Sequence, residues 1–393
     1  MRLAVVSHKV CWRSDESSTG YATDGGFPMQ IGAISELFDE TEIVVPVSAE
    51  GRTGGLLPLG GRNVSIKKLS VPQGEGLLRK LSIPFWLLGN CRSIWRAVKN
   101  ADAVHAPIPG DVGTVGLLIA LIQRKPLFVR HCGNWMVQRT AAERFWKWIM
   151  EASAGGRNVM FATGGSATAP SAKNPKVRWV FSTSLRQAEL GRTVPRELPR
   201  DGQIRMIIAC RQESKKGTDV VVKSLSEISK RFPNVMLDVI GGGSQLNKLK
   251  LLAESLGVSD KVTFHGHIAQ TKVIDLLNRA HLFCFPTTAS EGFPKAVLEA
   301  LASGLPVVTT RVSVLPVLVG NGCGQLLDDA TAESLANAVK KICSDPEKYR
   351  AMSLKALETA RGYSLENWRD LIGQTLRLEW NVSSLSSTGP TRS

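Results

Sequence analysis

Glu291 and Glu299 stand eight residues apart in Pro286-Thr-Thr-Ala-Ser-Glu291-Gly292-Phe293-Pro294-Lys295-Ala-Val-Leu-Glu299-Ala-Leu-Ala-Ser-Gly304-Leu-Pro306-Val-Val. An apolar strand ends at Pro286, a polar loop follows, and a helix starts near Pro294, proline being favoured in a first helical turn. The free N–H groups and dipole of that helix face the loop, a setting that suits an anion such as a diphosphate. Glu291 precedes the helix, and Glu299 lies ~8 Å further along its axis at about 1.5 Å per residue. Two carboxylates so held can grip two groups of hydroxyls on one elongated ligand. The plainer reading makes Glu291 a cap and Glu299 a surface charge.

Ile207-Ile-Ala-Cys-Arg211-Gln-Glu-Ser-Lys215-Lys216-Gly217 is a strand followed by Arg211 and Lys216, five apart, with Gly217 opening a helix. Two fixed cations at a strand end are what a diphosphate leaving group needs as negative charge grows on it. Lys215 is the alternative partner for Arg211. Val239-Ile240-Gly241-Gly242-Gly243 runs a strand into a turn where glycine permits positive φ and close approach of backbone to ligand. In the first half, the glycines of Asp24-Gly25-Gly26-Phe27 admit a sugar or phosphate against the backbone. Phe128-Val129-Arg130-His131 ends a strand in histidine, and Trp135, four residues on, offers an acceptor sugar a stacking face. His105 ends another strand, in Ala103-Val104-His105-Ala106-Pro107, and is a second candidate for the acceptor. Asp328-Asp329 is read as helix capping before Thr331, not as a metal pair.

The run from Glu291 to Val308, Glu-Gly-Phe-Pro-Lys-x3-Glu-Ala-x2-Ser-Gly-x-Pro-Val-Val, resembles the E-x7-E signature of retaining family 4 glycosyltransferases with the GT-B fold. That resemblance implies that Glu291 contacts hydroxyls of the transferred sugar and Glu299 the nucleotide ribose. It implies that main-chain N–H groups of Gly292, Phe293 and Lys295 hold phosphate, Pro294 having none to give. Arg211 and Lys216 are similar to the family's R-x4-K-G pair, and Gly241 to its glycine turn. Ile268, in Phe264-His265-Gly266-His267-Ile268, resembles the residue beside the nucleotide base. For His131 the resemblance implies hydrogen bonding to the donor sugar as oxocarbenium character develops, and Gly25 and Gly26 match the family's Gly-Gly turn. The implied reaction moves a sugar from a nucleotide diphosphate sugar to an acceptor hydroxyl, without metal or other cofactor, since Arg and Lys replace the metal. Two rivals stay open: another GT-B enzyme, such as a sugar-nucleotide epimerase or phosphorylase, and a non-catalytic nucleotide-sugar-binding subunit.

Short apolar runs alternating with helix-like stretches position these groups, the pattern of parallel α/β architecture. Strands are expected at 2–7, 42–47, 64–71, 103–105, 127–130 and 159–162, with helices near 29–38, 86–99, 111–123 and 138–152. The Pro- and charge-rich segment 193–203 reads as a linker. A second series places strands at 204–210, 235–240, 261–264, 282–285 and 306–310, with helices at 218–231, 244–256, 271–279, 295–303, 331–343 and 347–360. The expected fold is GT-B: two Rossmann-like doubly wound parallel-sheet domains facing a cleft. Residues 1–196 are the expected acceptor-binding domain and 197–362 the donor-binding domain. A helix over 363–380 crosses back to the first domain, and 381–393 is a disordered tail.

Composition bounds the rest. Of 393 residues, 43% are hydrophobic and 21% charged, which excludes disorder over most of the chain. Seven cysteines without a C-x-x-C pair are poor material for disulfides or zinc and read as reduced thiols of a cytosol. No secretory signal is recognised, and the longest apolar stretches, such as 115–122, fall far short of the ~18 residues of a membrane span. The expected location is therefore cytoplasmic. The net charge is +15, and residues 51–100 hold nine basic residues against one acid, Glu75. Residues 77–96 mix aliphatics, aromatics and cations as interfacial segments do. Reversible docking on an anionic inner membrane, where a lipid-linked acceptor is presented, is the expectation; a core helix with a basic outer face is the alternative. No nucleic-acid partner is expected, and the implied setting is bacterial polysaccharide or glycolipid biosynthesis.

Overall fold

Leu3, Val5, Ile43, Val45, Phe128 and Phe161 point to one face of a sheet, and Val6, Val44, Val104, Val129 and Met160 to the other. That alternation is the period-two geometry of strands, and burial on both faces is why they read as continuous apolar runs. A computed structural model describes the chain except residues 53, 75, 192, 200, 201, 384 and 386–393, and except the side chains of Leu77 and Lys80. The seven strands lie in the order Val177–Val180, Asn158–Thr163, Leu127–His131, Ala103–Ile108, Arg2–Val6, Glu40–Pro46 and Val64–Leu69. All pairings are parallel, with Val5 opposite both Ile43 and His105. Helices Gly76–Asn100, Asp111–Ile122 and Ala141–Ser153 cover the second face, and Phe27–Ser35 and Leu365–Trp380 the first.

Several features of this part of the chain depart from the sequence reading, the unexpected strand Val177–Val180 among them. Strands Trp12–Arg13, Tyr21–Asp24 and Leu56–Pro58 form a small antiparallel sheet of their own; runs of two to four residues are too short to show alternation. The helix expected at 86–99 begins ten residues earlier, at Gly76, and continues through Pro84, a residue that ordinarily kinks or ends a helix. No described helix is long and apolar enough to cross a membrane.

The second sheet has the order Val262–Gly266, Met236–Ile240, Arg205–Ala209, Leu282–Phe285, Val307–Thr310 and Gly324–Leu327, again all parallel. The chain runs outward from Arg205–Ala209 through two strands, then returns to its other side at Leu282. The loops therefore part beyond the C-terminal ends of these two neighbours, the usual ligand position in an open α/β sheet.

The chain forms two units. The first contains Met1–Gly164, Thr168–Ser184 and the residues from Leu365; the second contains Gly165–Ala167 and Leu185–Ser364. The second unit thus begins upstream of the segment read as a linker. Within that segment, Arg196 is tied down: its N–H donates to Ser353 Oγ at 2.7 Å and its Nε to the Ser303 carbonyl at 2.9 Å. Composition showed a linker, but these long-range bonds are invisible to composition. Leu365, Trp368, Ile372, Leu376 and Trp380 join the first unit's core. The tail expected to be disordered from 381 is corrected in part: Val382 packs on this core and Leu385 is buried in it. Residue 384 and residues 386–393 of that tail lie outside the described residues.

Candidate functional site

In the second unit, the loop after Arg205–Ala209 is bound to the loop after Leu282–Phe285. Lys215 has φ 70°, in the left-handed region, which turns its carbonyl toward three donors: Thr287 Oγ1 at 3.0 Å, Thr288 N at 2.9 Å and Ala289 N at 3.2 Å. The turn leaves Lys216 aimed inward, and its ammonium donates to Glu291 Oε1 at 2.5 Å. Both side chains are only 16% exposed. The Glu291 N–H donates to Ser313 Oγ at 3.1 Å, fixing the carboxylate's root. Of the two lysines the sequence left open, Lys216 turns its ammonium to Glu291, and Lys215 contributes its carbonyl to the turn. Arg211 is exposed just past the strand and lies outside the Lys216–Glu291 pair.

The glycine turn after Met236–Ile240 is required by crowding. A Cβ on Gly241 would lie 1.9 Å from the Cys210 carbonyl oxygen, and its φ of 113° is strained for any other residue. The buried Gln212 ties the same loops: its Nε2 donates to the carbonyls of Cys210 at 3.0 Å and Ile240 at 2.9 Å, and its Oε1 accepts from Thr218 Oγ1 at 2.7 Å. Nothing in the sequence distinguished Gln212, since a single glutamine carries no spacing signal.

Glu299 lies inside helix Lys295–Ala302, which Pro294 caps and Gly292 and Phe293 precede. Its Oε1 accepts from Gln270 Nε2 at 2.9 Å. Gln270 opens helix Gln270–Arg279, one residue before the expected start, and was not foreseen. Ile268, in the loop ahead of that helix, packs half-buried against the core. Burial raises the Glu299 carboxyl above its ordinary value, while the Gln270 bond and the Lys295 charge oppose the rise. A raised acid favours the folded state below the ordinary carboxylate range, and that contribution is lost as pH rises through the folded value. Glu299→Gln should therefore raise the ligand-free melting temperature at pH 7, with the gain vanishing in acid. A melting curve unchanged at both pH values would contradict this.

In the first unit, His131 ends strand Leu127–His131, buried, with its ring edge-on to Trp135 at 5.4 Å. Burial lowers its pKa to about 4, so the ring is neutral at pH 7. Two sequence expectations are corrected here. Trp135 is buried, its Nε1 donating to the Pro170 carbonyl at 2.8 Å and Lys147 Nζ standing 5.2 Å from the ring centroid, which leaves no stacking face for a sugar. His105 lies within strand Ala103–Ile108, not at its end, fully buried and stacked on Phe128 at 4.1 Å. The strand continues three residues past His105, through Pro107 to Ile108.

Gly25, at φ 73°, and Gly26, the N-cap of helix Phe27–Ser35, flank a cavity of about 440 Å³ lined by His8, Lys9, Trp12, Asp24, Arg79 and Asp111 among others. It opens where strands Arg2–Val6 and Ala103–Ile108 end, the point at which this sheet's strand order reverses. Asp24 binds Lys9 and, at 2.9 Å, Arg52; Arg79 Nε donates to Asp111 Oδ2 at 2.8 Å. The Lys9 hydrogen bond is the main reason the Asp24 carboxyl is held low. Such paired charges present fixed donors and acceptors to a hydroxyl-rich ligand. The sequence reading reached only the two glycines, because these partners are scattered over a hundred residues.

Among the described residues, no three His, Cys, Asp or Glu side chains converge as metal ligands. Asp328 pairs with Arg311 Nε at 2.7 Å, and Asp329 accepts from Thr331 Oγ1 at 2.8 Å at the helix cap.

Two parallel, doubly wound sheets with such loops define a GT-B fold, and solved structures agree. Sucrose-phosphate synthase from Thermosynechococcus elongatus matches with TM-score 0.70 at 15% identity, over 98% of this chain and 100% of that one. Anabaena HepE in complex with UDP and glucose matches with TM-score 0.64 at 16% identity, over 95% and 98%. Residues 193–359, within the second unit, match the model of the family of glycosyl transferases group 1. Over 174 residues the chain is 30% identical to the GDP-mannose-dependent alpha-(1-6)-phosphatidylinositol monomannoside mannosyltransferase of Mycolicibacterium smegmatis, covering 42% of this chain and 44% of that protein. Over 171 residues it is 33% identical to the D-inositol 3-phosphate glycosyltransferase of Rhodococcus jostii, covering 42% and 38%. The alignments thus span less than half of each curated relative.

Proposed function

We propose that the protein is a retaining family 4 glycosyltransferase, transferring a sugar from a nucleotide diphosphate sugar to an acceptor hydroxyl. The observation that carries this reading is the Lys216–Glu291 pair, at the strand-order reversal of a group 1 domain. Glu291 grips hydroxyls of the transferred sugar, and Lys216 and Arg211 meet the charge that grows on the departing diphosphate. Backbone N–H groups of Gly292, Phe293 and Lys295 hold phosphate at the helix start. Glu299, with Gln270, takes the ribose, and Ile268 lies beside the base. His131, kept neutral by burial, is the proposed hydrogen-bonding group for the sugar. The acceptor enters the cavity lined by Asp24, Arg79 and Asp111. The anomeric carbon–phosphate oxygen bond breaks as the bond to the acceptor oxygen forms on the same face, and the leaving phosphate oxygen takes the acceptor's proton. Neither glutamate is a general base, and no metal or other cofactor enters. The acceptor is a carbohydrate or a lipid-linked hydroxyl in polysaccharide or glycolipid synthesis, met on the inner face of an anionic membrane.

Melting the protein with UDP-, GDP- and ADP-sugars tests the donor assignment. A true donor at 100 times its dissociation constant adds ~2.7 kcal/mol of stability. Incubation with that sugar should then release free nucleotide and no epimer. If none of the nucleotide sugars shifts the melting curve, the reading fails.

A further inference from the structure

The helix Gly76–Asn100 carries a stripe of large apolar side chains on its outer face. Leu78, Leu81, Phe85 and Leu88 follow one another at spacings of three, four and three residues and are between 63% and 84% exposed. Those spacings put them on one side of the helix. The opposite side is already committed, with Trp86, Ile94 and Val98 buried in the first unit's core. The stripe is therefore not a core face that failed to reach its partner.

The helices layered beside it repeat the pattern. Asp111–Ile122 presents Ile122 at 67% exposure, and Ala141–Ser153 presents Trp148 at 60%. The three helices cover the same sheet face and are tied together: Trp146 Nε1 donates to Thr114 Oγ1 at 2.8 Å, and Gln123 Nε2 to the Trp95 carbonyl at 3.2 Å. Their outward side chains form one surface of the layer. Isolated exposed leucines need no explanation, but a continuous series of this size marks an interaction site.

Charge selects the occupant. Helix Gly76–Asn100 contains no acidic residue, and Arg92, Arg96 and Lys99 continue it as exposed cations; Arg124 and Arg144 are exposed on the neighbouring helices' side. Apolar side chains that insert a few ångströms, beside cations that stay at the headgroups, are the signature of a helix lying in an anionic lipid interface. A protein groove would be met by complementary acids at fixed positions; a bilayer needs only the mixture.

We infer that this three-helix layer is a lipid-docking face, inserting Leu81, Phe85 and Leu88 into an anionic bilayer with Arg92 and Arg96 on the headgroups. The inference deepens the membrane contact of the proposed function by naming the surface, but it stands on exposure and charge and requires no turnover. Flotation of the full chain with vesicles of phosphatidylglycerol and phosphatidylcholine tests it, against vesicles of phosphatidylcholine alone. Binding should require the anionic lipid and fall steeply between about 0.05 and 0.5 M salt. The triple change Leu81→Ser, Phe85→Ser, Leu88→Ser should lower partitioning at least about tenfold, and the pair Arg92→Glu, Arg96→Glu by a similar factor. Both variants should keep the wild-type melting response to nucleotide sugar, which separates lost docking from lost folding or a lost donor site. Equal flotation of wild type and triple variant overturns the assignment. So does absence of anionic-lipid binding, or a dimer in solution that the serine changes break apart, since a second copy would then be the occupant.

Discussion

Lys216→Ala should lower kcat for sugar transfer by about 10²–10³, the cost of removing one preorganised group from developing negative charge. Lys216 is held by the turn at Lys215 and Gly217 and already touches Glu291, so its ammonium needs no reorganisation when the phosphate departs. The same substitution leaves the Glu291 carboxylate half-buried without its cation, which misplaces the group assigned to the sugar. Glu291→Gln should therefore lower turnover as well, while retaining the nucleotide's melting shift, because the glutamine leaves the phosphate cation in place. Lys215→Ala is the control. Its side chain is exposed and its structural work is done by the carbonyl, so turnover should stay within about twofold of wild type. Steady-state assay of the three variants with the true acceptor decides the matter: a Lys216→Ala enzyme as fast as wild type removes the site assignment.

Trp368→Ala should destabilise the first unit by about 3–5 kcal/mol, the range for truncating a large buried aromatic. The indole is fully buried in helix Leu365–Trp380, and the Arg130 guanidinium stands 4.7 Å from its ring centroid. Arg130 is itself buried, and burial lowers its pKa. Losing the ring leaves that cation over an apolar void in place of a π-face. Calorimetry should show the first unit melting roughly 10 °C lower, and Trp368→Phe should recover most of the loss. The second unit's response to nucleotide sugar should survive in both variants, since Trp368 belongs to the other core. A Trp368→Ala protein that melts within about 2 °C of wild type would show that the helix does not depend on this contact.

Much of the second unit was legible because its chemistry is local. Glu291, Pro294 and Glu299 lie within one loop and helix, and Arg211, Lys216 and Gly217 within another, so residue type and spacing carry the reading directly. Gln212 was illegible because a lone glutamine carries no spacing signal even with Cys210 and Thr218 close by in sequence, and Gln270 because its partner Glu299 lies 29 residues away. The first unit was harder for the same reason. Its cavity is assembled from His8, Asp24, Arg79 and Asp111, which no short window contains. His105 and Trp135 misled because a ring in an apolar run looks the same whether it faces a ligand or the core. Only the packing of Phe128 and Lys147 against them decides.

The first unit is discontinuous in sequence, and that bears on its birth. Helix Leu365–Trp380, which covers Leu3, Phe128 and Phe161, follows Ser184 by some 180 residues. At about 5–20 residues per second on a ribosome, that sheet face waits roughly ten to forty seconds for its cover. The second unit, continuous from Leu185, can finish first. The nascent protein thus matures in the reverse of its reading order, with an apolar surface that a chaperone is well placed to shield in the meantime.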